Sequence, residues 1–268
     1  MIHNVLTIAG TDPTGGAGIQ ADLKTFSAMG VYGMSVITAL VAQNTQGVQQ
    51  VYPIDPAFIQ AQCDSVFSDV RVDSVKCGML VDAEVIQTVH RALVAYRPQY
   101  IVLDTVMVAK SGDALLAEDA VRAMRDLMLP LADLITPNLP EAAALLSSSV
   151  AKSEDEMRDQ AHALLQLGAR AVFIKGGHLN TADAADWLVT DHQETRFVSP
   201  RIPTQNTHGT GCTLSAALAA LRPRFDTWDK TAREAKTWLT GAIEHSSLLT
   251  VGQGHGPLHH FYGSLAQK

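Results

Sequence analysis

The sequence has few cysteines and lacks any long apolar run. Cys63, Cys77 and Cys212 are its three cysteines among 268 residues. Their odd number and wide spacing suit neither a disulfide framework nor the paired ligands of a zinc site, so free thiols in a reducing cytoplasm are expected. No apolar stretch approaches the roughly 18 residues of a membrane span, and a membrane protein is therefore not expected.

A basic surface is missing as well. The chain has 27 acidic side chains against 20 lysines and arginines, for a formal net charge of -7. A generic nucleic-acid-binding protein shows a basic face, so nucleic acid is not an expected partner, although phosphates can still bind locally. Residues 1–4 have neither the basic region nor the apolar region of a signal peptide, which again favours the cytoplasm.

Short apolar runs alternate with amphipathic segments along the chain. Residues 5–9 are typical of a buried strand, and Ile19, Leu23 and Phe26 then recur at helical spacing. The alternation predicts an α/β fold with a mostly parallel central sheet and helices on both faces. With 47% hydrophobic residues and no linker rich in Pro, Gly or Ser, one domain over residues 1–268 is expected. Further strands are predicted at residues 36–42, 75–78, 100–104, 133–136 and 171–175.

Local signals set several boundaries. Asp55 and Pro56 are typical of an N-cap followed by proline at the first helical position, and Ser153 with Glu156 matches a capping box. Residues 187–190 and 195–198 predict a short antiparallel hairpin at one edge of the sheet. Two helices, near residues 211–221 and 229–249, complete the chain.

The candidate site follows from the predicted sheet. In open α/β sheets, ligands bind beyond the carboxyl ends of the strands. One aspartate, one asparagine, one lysine and several glycine pairs follow the predicted strands, which is more than ordinary loop chemistry requires. We therefore expect a shared site formed by residues 10–12, 43–44, 78–79, 104, 136–138, 175–177 and 206–212.

The strongest local signal is the segment 207–218. Gly209 and Gly211 permit a tight turn, and a helix of small residues follows at once. N–H groups at such a helix start, with the helix dipole, form an anion hole suited to phosphate. Cys212 lies in the first turn, where the dipole favours its thiolate. A plain helix N-cap with a buried structural cysteine remains the alternative.

A second glycine-rich loop spans residues 10–18. It lacks the lysine-serine pair of a P-loop and the glycine spacing of a dinucleotide-binding motif. We interpret it as a loop that approaches a substrate closely. Asp22, on the helix after it, is a candidate for the pocket, and a solvated helix face is the alternative.

Oxygen ligands and a lysine are also expected at the site. Asp104 and Glu141 could hold Mg²⁺ directly or through water, although Glu141 could instead compensate a helix dipole. Lys175 ends an apolar strand, and burying its ammonium without an anionic partner would be costly. Lys110, Lys236 and Arg201 are individually ordinary surface candidates.

Three histidines near the C-terminus, His255, His259 and His260, suggest a metal site. Glycines and a proline surround them, and no cysteine or carboxylate stands nearby in the sequence. A turn-rich segment is the favoured interpretation.

Taken together in this order, the motifs resemble the hydroxymethylpyrimidine/phosphomethylpyrimidine kinases of thiamin biosynthesis, which are ribokinase-like enzymes. The resemblance runs from about Val5 to about Phe261. It is carried by residues 9–22, 39–44, 102–107, 136–141, 174–178 and 206–212. It implies a ribokinase-like fold and an ATP- and Mg²⁺-dependent kinase of a small pyrimidine alcohol and then of its monophosphate.

The resemblance also implies residue roles. The pyrimidine pocket would include Gly10, Asp22, Gln43, Met79 and Val106, with Gln43 at the polar edges of the ring. ATP and Mg²⁺ would be handled by Asp104, Asn138, Glu141 and Lys175, with Lys236 as a weaker candidate and Asp104 and Glu141 on the metal.

The segment at residues 209–212 matches the family's reaction centre. Gly209, Thr210 and Gly211 match its anion hole, and Cys212 matches its proposed general base. Most sugar kinases of the superfamily carry aspartate at that position, so cysteine favours the pyrimidine branch. The resemblance further implies a homodimer.

The mechanism expected from this arrangement treats the two phosphorylations differently. Cys212 would accept the proton of the hydroxymethyl group, whereas a phosphate monoester is already anionic and needs no strong base. The nearest alternative is a pyridoxal or pyridoxine kinase. A silent nucleotide-binding protein and a sugar kinase are more distant alternatives.

Overall fold

The alternating segments form a central sheet with helices on both faces. The computed structural model describes residues 1–107, 117–179 and 183–263. Lys110, expected at the surface, lies outside these ranges. In the described part of the chain, no helix is both long and apolar enough to cross a membrane.

Ten strands are found in the described ranges. They are β1 (Asn4–Ala9), β2 (Tyr32–Ile37), β3 (Ala39–Asn44), β4 (Gly47–Pro53), β5 (Ser74–Cys77), β6 (Ile101–Leu103), β7 (Leu134–Ile135), β8 (Ala171–Lys175), β9 (Asp183–Thr190) and β10 (Glu194–Pro200). Eight of them form one sheet in the order β10-β9-β8-β7-β6-β5-β1-β2. All neighbours from β8 to β2 pair parallel, and β9 and β10 are antiparallel. The predicted parallel sheet with an antiparallel hairpin at its edge is confirmed.

The helices of the described ranges follow the predicted pattern. They are α1 (Gly18–Ala28), α2 (Pro56–Asp69), α3 (Ala83–Tyr96), α4 (Glu118–Ala123), α5 (Leu139–Leu146), α6 (Glu154–Gln166), α7 (Thr210–Leu221) and α8 (Trp228–Glu244). Asp55 and Ser153 cap α2 and α6 as predicted, each accepting a backbone N–H of the first turn. The last helix ends at Glu244, because the chain turns into a short 3₁₀ helix at Ser246–Leu248.

Alternate residues of each strand face different helix layers. Leu6, Ile8, Val75 and Cys77 pack with apolar residues of α2, α3, α5 and α6, which we call the α3 layer. Val5 and the opposite-facing residues of other strands pack with α1, α7 and α8, which we call the α7 layer. Because side chains alternate across a strand, Thr7 and Lys76 point toward the α7 layer.

One strand prediction was wrong. The apolar run 36–42 was expected to form a single strand, but the chain bends at Thr38 and divides it between β2 and β3. Thr38 donates its N–H to the Ala9 carbonyl and its hydroxyl to the Met79 carbonyl, at 3.0 and 2.7 Å. These long-range bonds redirect the chain, so β3 leaves the main sheet and pairs with β4 as a separate hairpin.

The C-terminal segment is joined to α7 by a buried histidine. His260 is 4% exposed, and its Nε2 lies 3.0 Å from the Thr213 hydroxyl. Burial lowers the pKa of His260 to about 4, and the positive charge of Lys24 acts in the same direction.

This burial predicts an acid-sensitive fold. The unfolded chain binds the proton below a pH near 6.5 and the folded chain only below about 4. The free energy of unfolding should therefore fall as the pH drops through this window, by about 3 kcal/mol from this group, and not further below it. Urea unfolding across the window should show a shallower dependence for His260→Gln. The exposed His192 provides the control, because His192→Gln should keep the wild-type slope. An unaltered slope in His260→Gln would exclude this histidine as the cause.

Candidate active site

Two carboxylates and one ammonium meet beyond the carboxyl ends of β6 and β8. Asp104 follows β6 directly, and Lys175 is the last residue of β8. The Lys175 Nζ lies 3.5 Å from an oxygen of Asp104 and 3.9 Å from one of Glu141. The anionic partners expected for Lys175 are thus present. One positive charge faces two negative charges, which leaves the cluster suited to a further cation.

Hydrogen bonds from neighbouring elements hold both carboxylates. Thr136 donates to Asp104 Oδ1 and Ser215 of α7 donates to Asp104 Oδ2, each at 3.1 Å. Thr105 donates to Glu141 Oε2 at 3.2 Å. Because the carboxylate oxygens already accept hydrogen bonds from these hydroxyl groups, the fold holds them in position without a ligand.

Glu141 also caps α5. Its carboxylate accepts the Asn138 N–H at 2.8 Å, and Asn138 Oδ1 accepts the Glu141 N–H at 2.9 Å, which completes a capping box. Burial raises the pKa of Glu141 above its ordinary value; Lys175 opposes this shift and Asp104 adds to it. The interpretation that Glu141 stabilises a helix start is therefore observed, and its role as a Mg²⁺ ligand stays a prediction. The nucleotide contact of Asn138 stays a prediction.

The carboxylate pair suits an ion such as Mg²⁺, which needs few protein ligands, better than an ion whose ligands all come from the protein. Asp104 and Glu141 offer hard oxygen ligands next to an excess negative charge. Within residues 1–107, 117–179 and 183–263, no group of three or more His, Cys, Asp and Glu side chains is placed to hold a metal ion. Mg²⁺ commonly uses one or two carboxylates and fills its other positions with waters and substrate phosphates.

The start of α7 lies beside this charged cluster. Gly209 is its N-cap with φ of 77°, and a Cβ at that position would lie 1.7 Å from the Gly16 carbonyl oxygen, so only glycine fits. A Cβ on Gly211 would lie 3.3 Å from the Lys175 Nζ and 3.9 Å from Asp104 Oδ2. The first turn of α7 therefore lies beside the Lys175 ammonium, and binding of an anion between them stays a prediction.

Cys212 lies in the first turn of α7, as expected, but its ionisation differs from the expectation. Burial raises the pKa of the thiol to about 11, although the Lys76 ammonium and a hydrogen bond from the Gly18 N–H oppose this shift. The helix start was expected to favour the thiolate, but burial has the larger effect on the pKa of the thiol in the folded chain. Burial of the sulfur outweighs the favourable groups around it.

Several candidates for the pyrimidine pocket lie where β1 meets the β3–β4 hairpin. A Cβ on Gly10 would lie 2.5 Å from Met79 Cε and 3.7 Å from Val41, so these three residues are in close contact. Gln43 follows on β3, just beyond a β-bulge at Ala42/Gln43. Val106 follows Asp104 and is only partly buried. Their contacts with a substrate stay predictions.

Asp22 does not face an open pocket. Its side chain is 0% exposed, and its carboxylate accepts the Lys76 ammonium at 2.8 and 3.0 Å and the Thr7 hydroxyl at 2.6 Å. Both alternatives from the sequence, a pocket carboxylate and a solvated one, thus differ from the observed position. The residue is turned into the sheet because strand-borne donors lie beneath α1.

Lys236 is not a free surface cation. It forms an ion pair with Asp186 of β9, and Asp186 accepts the Gly176 N–H at 2.9 Å. Lys236 is thereby linked to the loop that follows Lys175. Its expected role in ATP binding stays a prediction. The ammonium would have to contact the nucleotide while paired with Asp186 or exchange that partner.

Comparison with known proteins assigns the chain to a family. A family model described as phosphomethylpyrimidine kinase matches residues 12–259. The chain belongs to the phosphomethylpyrimidine kinase family. As a member of a kinase family it is a phosphotransferase, as the motifs predicted, and ATP use follows from that class.

Curated relatives cover nearly the full length. A hydroxymethylpyrimidine/phosphomethylpyrimidine kinase of Escherichia coli is 61% identical over 97% of this chain and 97% of its own. One from Rhizobium meliloti is 49% identical over 96% of each chain. The resemblance stated from the motifs is confirmed.

Solved structures of this family and its neighbours have the same fold. A pyridoxal kinase of Bacillus subtilis, solved as an ADP complex, superposes with a TM-score of 0.91 at 37% identity, covering 99% of this chain and 100% of that one. A phosphomethylpyrimidine kinase of Clostridium difficile gives a TM-score of 0.81 at 40% identity, covering 90% and 99%. The expected ribokinase-like fold is thereby confirmed for this family member.

Sequence reasoning missed a network that joins the family's two glycine loops. Asp12 is 0% exposed, and its carboxylate accepts three backbone N–H groups of its own loop and lies 2.8 Å from His208 Nε2. Burial opposes ionisation, but hydrogen bonds from His208 and Thr14 hold the pKa of Asp12 well below its usual range. The loop at residues 10–18 is thus fixed against the N-cap of α7.

Lys76 was missed as well, although its signal was present in the sequence. A lysine within the short apolar strand 75–78 raises the same question of an anionic partner that Lys175 raised. Its partner, Asp22, lies 54 residues away, and no local pattern joins the two.

Proposed function

We propose that the chain transfers the γ-phosphoryl group of ATP to 4-amino-5-hydroxymethyl-2-methylpyrimidine and then to the resulting monophosphate, giving the diphosphate used in thiamin biosynthesis. The observation that carries this proposal is the position of Gly211, whose Cα hydrogen faces Lys175 and Asp104 at the start of α7. An anion-binding helix start, an ammonium and a carboxylate pair meet there. A phosphoryl group in transfer needs this combination of positioning and charge neutralisation.

The residues of the cluster divide the work. N–H groups at Gly209 and Gly211 bind the oxygens of the transferring group, and Lys175 adds positive charge. The Thr210 N–H donates to the Thr207 carbonyl at 3.3 Å and would have to release that bond to take part. Asp104 and Glu141 would hold Mg²⁺, which neutralises charge on the phosphates when bound. Asn138 and Lys236 are proposed to contact the nucleotide.

The pyrimidine is proposed to bind between β1 and the β3–β4 hairpin. Gly10 allows the ring to approach the backbone, Met79 and Val106 cover it, and Gln43 contacts its polar edge. Asp22 is not among the proposed contacts, because its carboxylate is fully buried and already paired with Lys76 and Thr7.

Cys212 is proposed as the base of the first step only. The hydroxymethyl oxygen forms a bond to the γ-phosphorus, the bond from that phosphorus to the leaving ADP oxygen breaks, and the hydroxyl proton passes to the Cys212 sulfur of the thiolate form, which becomes the neutral thiol. The acceptor of the second step is an anionic phosphate, so no proton must be removed by a strong base.

Product analysis tests the proposal directly. With the hydroxymethyl pyrimidine and excess ATP, mass spectrometry should detect the monophosphate first and the diphosphate later, with ADP formed in step with each transfer. A preparation of Gly211→Asp, purified identically, measures contaminating kinase. Monophosphate as the final product would exclude the second step, and absence of both products would exclude the substrate.

Pyridoxal or pyridoxine phosphorylation is the alternative that the structural neighbours support, since the Bacillus subtilis pyridoxal kinase has a closely similar fold. The relative at 61% identity carries the pyrimidine kinase name, which favours the pyrimidine. Comparison of kcat/KM for the hydroxymethyl pyrimidine and for pyridoxine decides between the two functions. A larger value for pyridoxine would reverse the assignment.

Three further expectations belong to this proposal. The free cysteines support a reducing cytoplasm as the place of the reaction. The single eight-stranded sheet supports one domain over the whole chain. A homodimer is proposed from the family resemblance.

A further inference from the structure

A fully buried lysine lies in the middle of the sheet. Lys76 belongs to β5, a central strand between β1 and β6, and its side chain is 0% exposed. Its neighbours Val75 and Cys77 point into the α3 layer. Lys76 therefore points toward α1 and α7, the helices whose first turns border the reaction centre.

The ammonium is held there by a fixed set of contacts. Both oxygens of Asp22 accept it, and the Thr7 hydroxyl donates to the same carboxylate. A Cβ on Gly78 would lie 2.7 Å from the Lys76 Nζ, so the strand backbone packs directly against the charged end. The position of the ammonium is thus determined by two strands, β1 and β5, and by α1.

Stability alone gives no reason to keep this pair. A buried ion pair can often be replaced by well-packed apolar residues without loss, because the cost of removing two charges from water offsets their attraction. Both flanking residues of Lys76 are apolar and completely buried. A functional use of the buried charge is therefore the better explanation.

Cys212 is the group whose thiolate form the Lys76 charge could stabilise. α7 packs against β1, β5 and β6, and the charge of Lys76 interacts with Cys212 in the first turn of α7. α1 packs against α7, and the Gly18 N–H at the start of α1 lowers the pKa of the Cys212 thiol, so the two helices meet near the sulfur. Asp22 lies on the next turn of α1 and connects this meeting point to Lys76.

We propose that Lys76 is a positioning residue for the first phosphoryl transfer: held by Asp22 and Thr7, its ammonium places a positive charge beneath Cys212 and stabilises the negatively charged sulfur that accepts the substrate proton. This inference deepens the proposed function and rests on it for the role of Cys212. Asp22 accordingly acts by holding Lys76 and does not touch the pyrimidine.

The charges around Cys212 support this assignment. Lys76 of β5 is the principal charged group that lowers the pKa of the thiol, and Asp104 after β6 and Asp22 of α1 raise it. Lys175 of β8 also interacts with the thiol. Burial lowers the pKa of Lys76 itself, but Asp22 and the other negative charges outweigh burial, so the ammonium stays charged.

Alkylation of Cys212 tests the proposal without any substrate. Iodoacetamide reacts with the thiolate, and peptide mass spectrometry separates Cys212 from the buried Cys63 and Cys77. Lys76→Met should move the pH profile of alkylation to higher pH. The rate at a fixed pH should fall by about tenfold, because a rise of about one unit in the pKa of the thiol lowers the thiolate fraction tenfold. Asp22→Asn keeps the ammonium and removes a negative charge, so it should raise the rate.

The opposite signs separate a charge effect from a structural one. Both single variants break the same ion pair, so mere loosening of the fold would change the two rates in the same direction, and that result would overturn the proposal. If Lys76→Met does not fold, the double variant Asp22→Asn/Lys76→Met removes the unpaired carboxylate. It should still react more slowly than wild type, and a wild-type profile in it would also overturn the proposal.

Kinetics provide the second readout. Lys76→Met should lower kcat for the alcohol and leave kcat for the monophosphate and both KM values close to wild type, since only the first step uses the sulfur as a base. Equal losses in the two steps would contradict the proposal. The alkylation result stands whatever the substrate is, so failure of the proposed function and failure of this inference can be told apart.

Discussion

Gly211→Asp should abolish both phosphoryl transfers while leaving the protein folded. A side chain on Gly211 starts 3.3 Å from the Lys175 Nζ, so the new carboxylate would pair with that ammonium and occupy the place of a phosphoryl oxygen. An acidic residue in the first turn of a helix is otherwise favourable, typically by about 0.3–1 kcal/mol. The substitution should therefore weaken phosphate binding without destabilising the fold.

The expected loss is large because the site is built for a negative group. Removing one donor from an oxyanion hole commonly lowers kcat by about 10²–10³-fold, and here a repelling charge is added as well. Steady-state assays with each acceptor should show a loss of at least this size in both steps, with an unchanged thermal unfolding midpoint.

Gly211→Ala is the matched control. Its methyl group would meet only the ends of two side chains, Lys175 Nζ at 3.3 Å and Asp104 Oδ2 at 3.9 Å, and Gly211 has no left-handed backbone conformation that alanine would strain. A small loss is expected for alanine. If alanine and aspartate were equally harmful, space and not charge would be the cause, and the anion hole would have to be placed elsewhere.

Cys212→Ala should separate the two phosphorylations. Loss of a general base should lower kcat/KM for the alcohol by about 10²–10⁴-fold. The monophosphate brings its own negative charge, so its phosphorylation should change little. Cys212→Ser is the control, because a hydroxyl fills the same place but does not ionise in the working range. It should resemble alanine in the first step.

The pH dependence of kcat/KM is a second, independent test of Cys212 as the base. Burial raises the pKa of the Cys212 thiol to about 11 in the free enzyme, so the fraction of thiolate grows with pH throughout the working range. kcat/KM for the alcohol should therefore rise with pH, and this rise should disappear in Cys212→Ala. A wild-type slope in the alanine variant, or equal losses in both steps, would remove Cys212 from the role of base.

The comparison of Lys175 with Lys76 shows how far the sequence could predict the site. Lys175 ends an apolar strand, and the general position of ligands in α/β sheets placed it correctly next to carboxylates. Lys76 lies within an apolar strand, and the same argument about burial applies to it, yet no rule of spacing connects it to Asp22. The direction in which a helical aspartate points depends on which strand residues lie beneath the helix.

Local and long-range hydrogen bonds account for the other differences. The caps at Asp55, Asn138 and Ser153 use neighbours within three residues and were predictable. The run 36–42 was assigned to one strand because its division depends on bonds from Thr38 to Ala9 and Met79. Such partners are known only once the strands have assembled.

The sequence by itself determined the α/β alternation, the glycine-containing start of α7 and, through its motifs, the family. These features depend on short-range periodicity, on glycine's freedom and on residue order, all of which are properties of the chain. Tertiary structure alone decided the raised pKa of the Cys212 thiol, the turning of Asp22 into the sheet and the link between Asp12 and His208. Burial and the field of distant charges set these properties, and both arise only when the layers pack together.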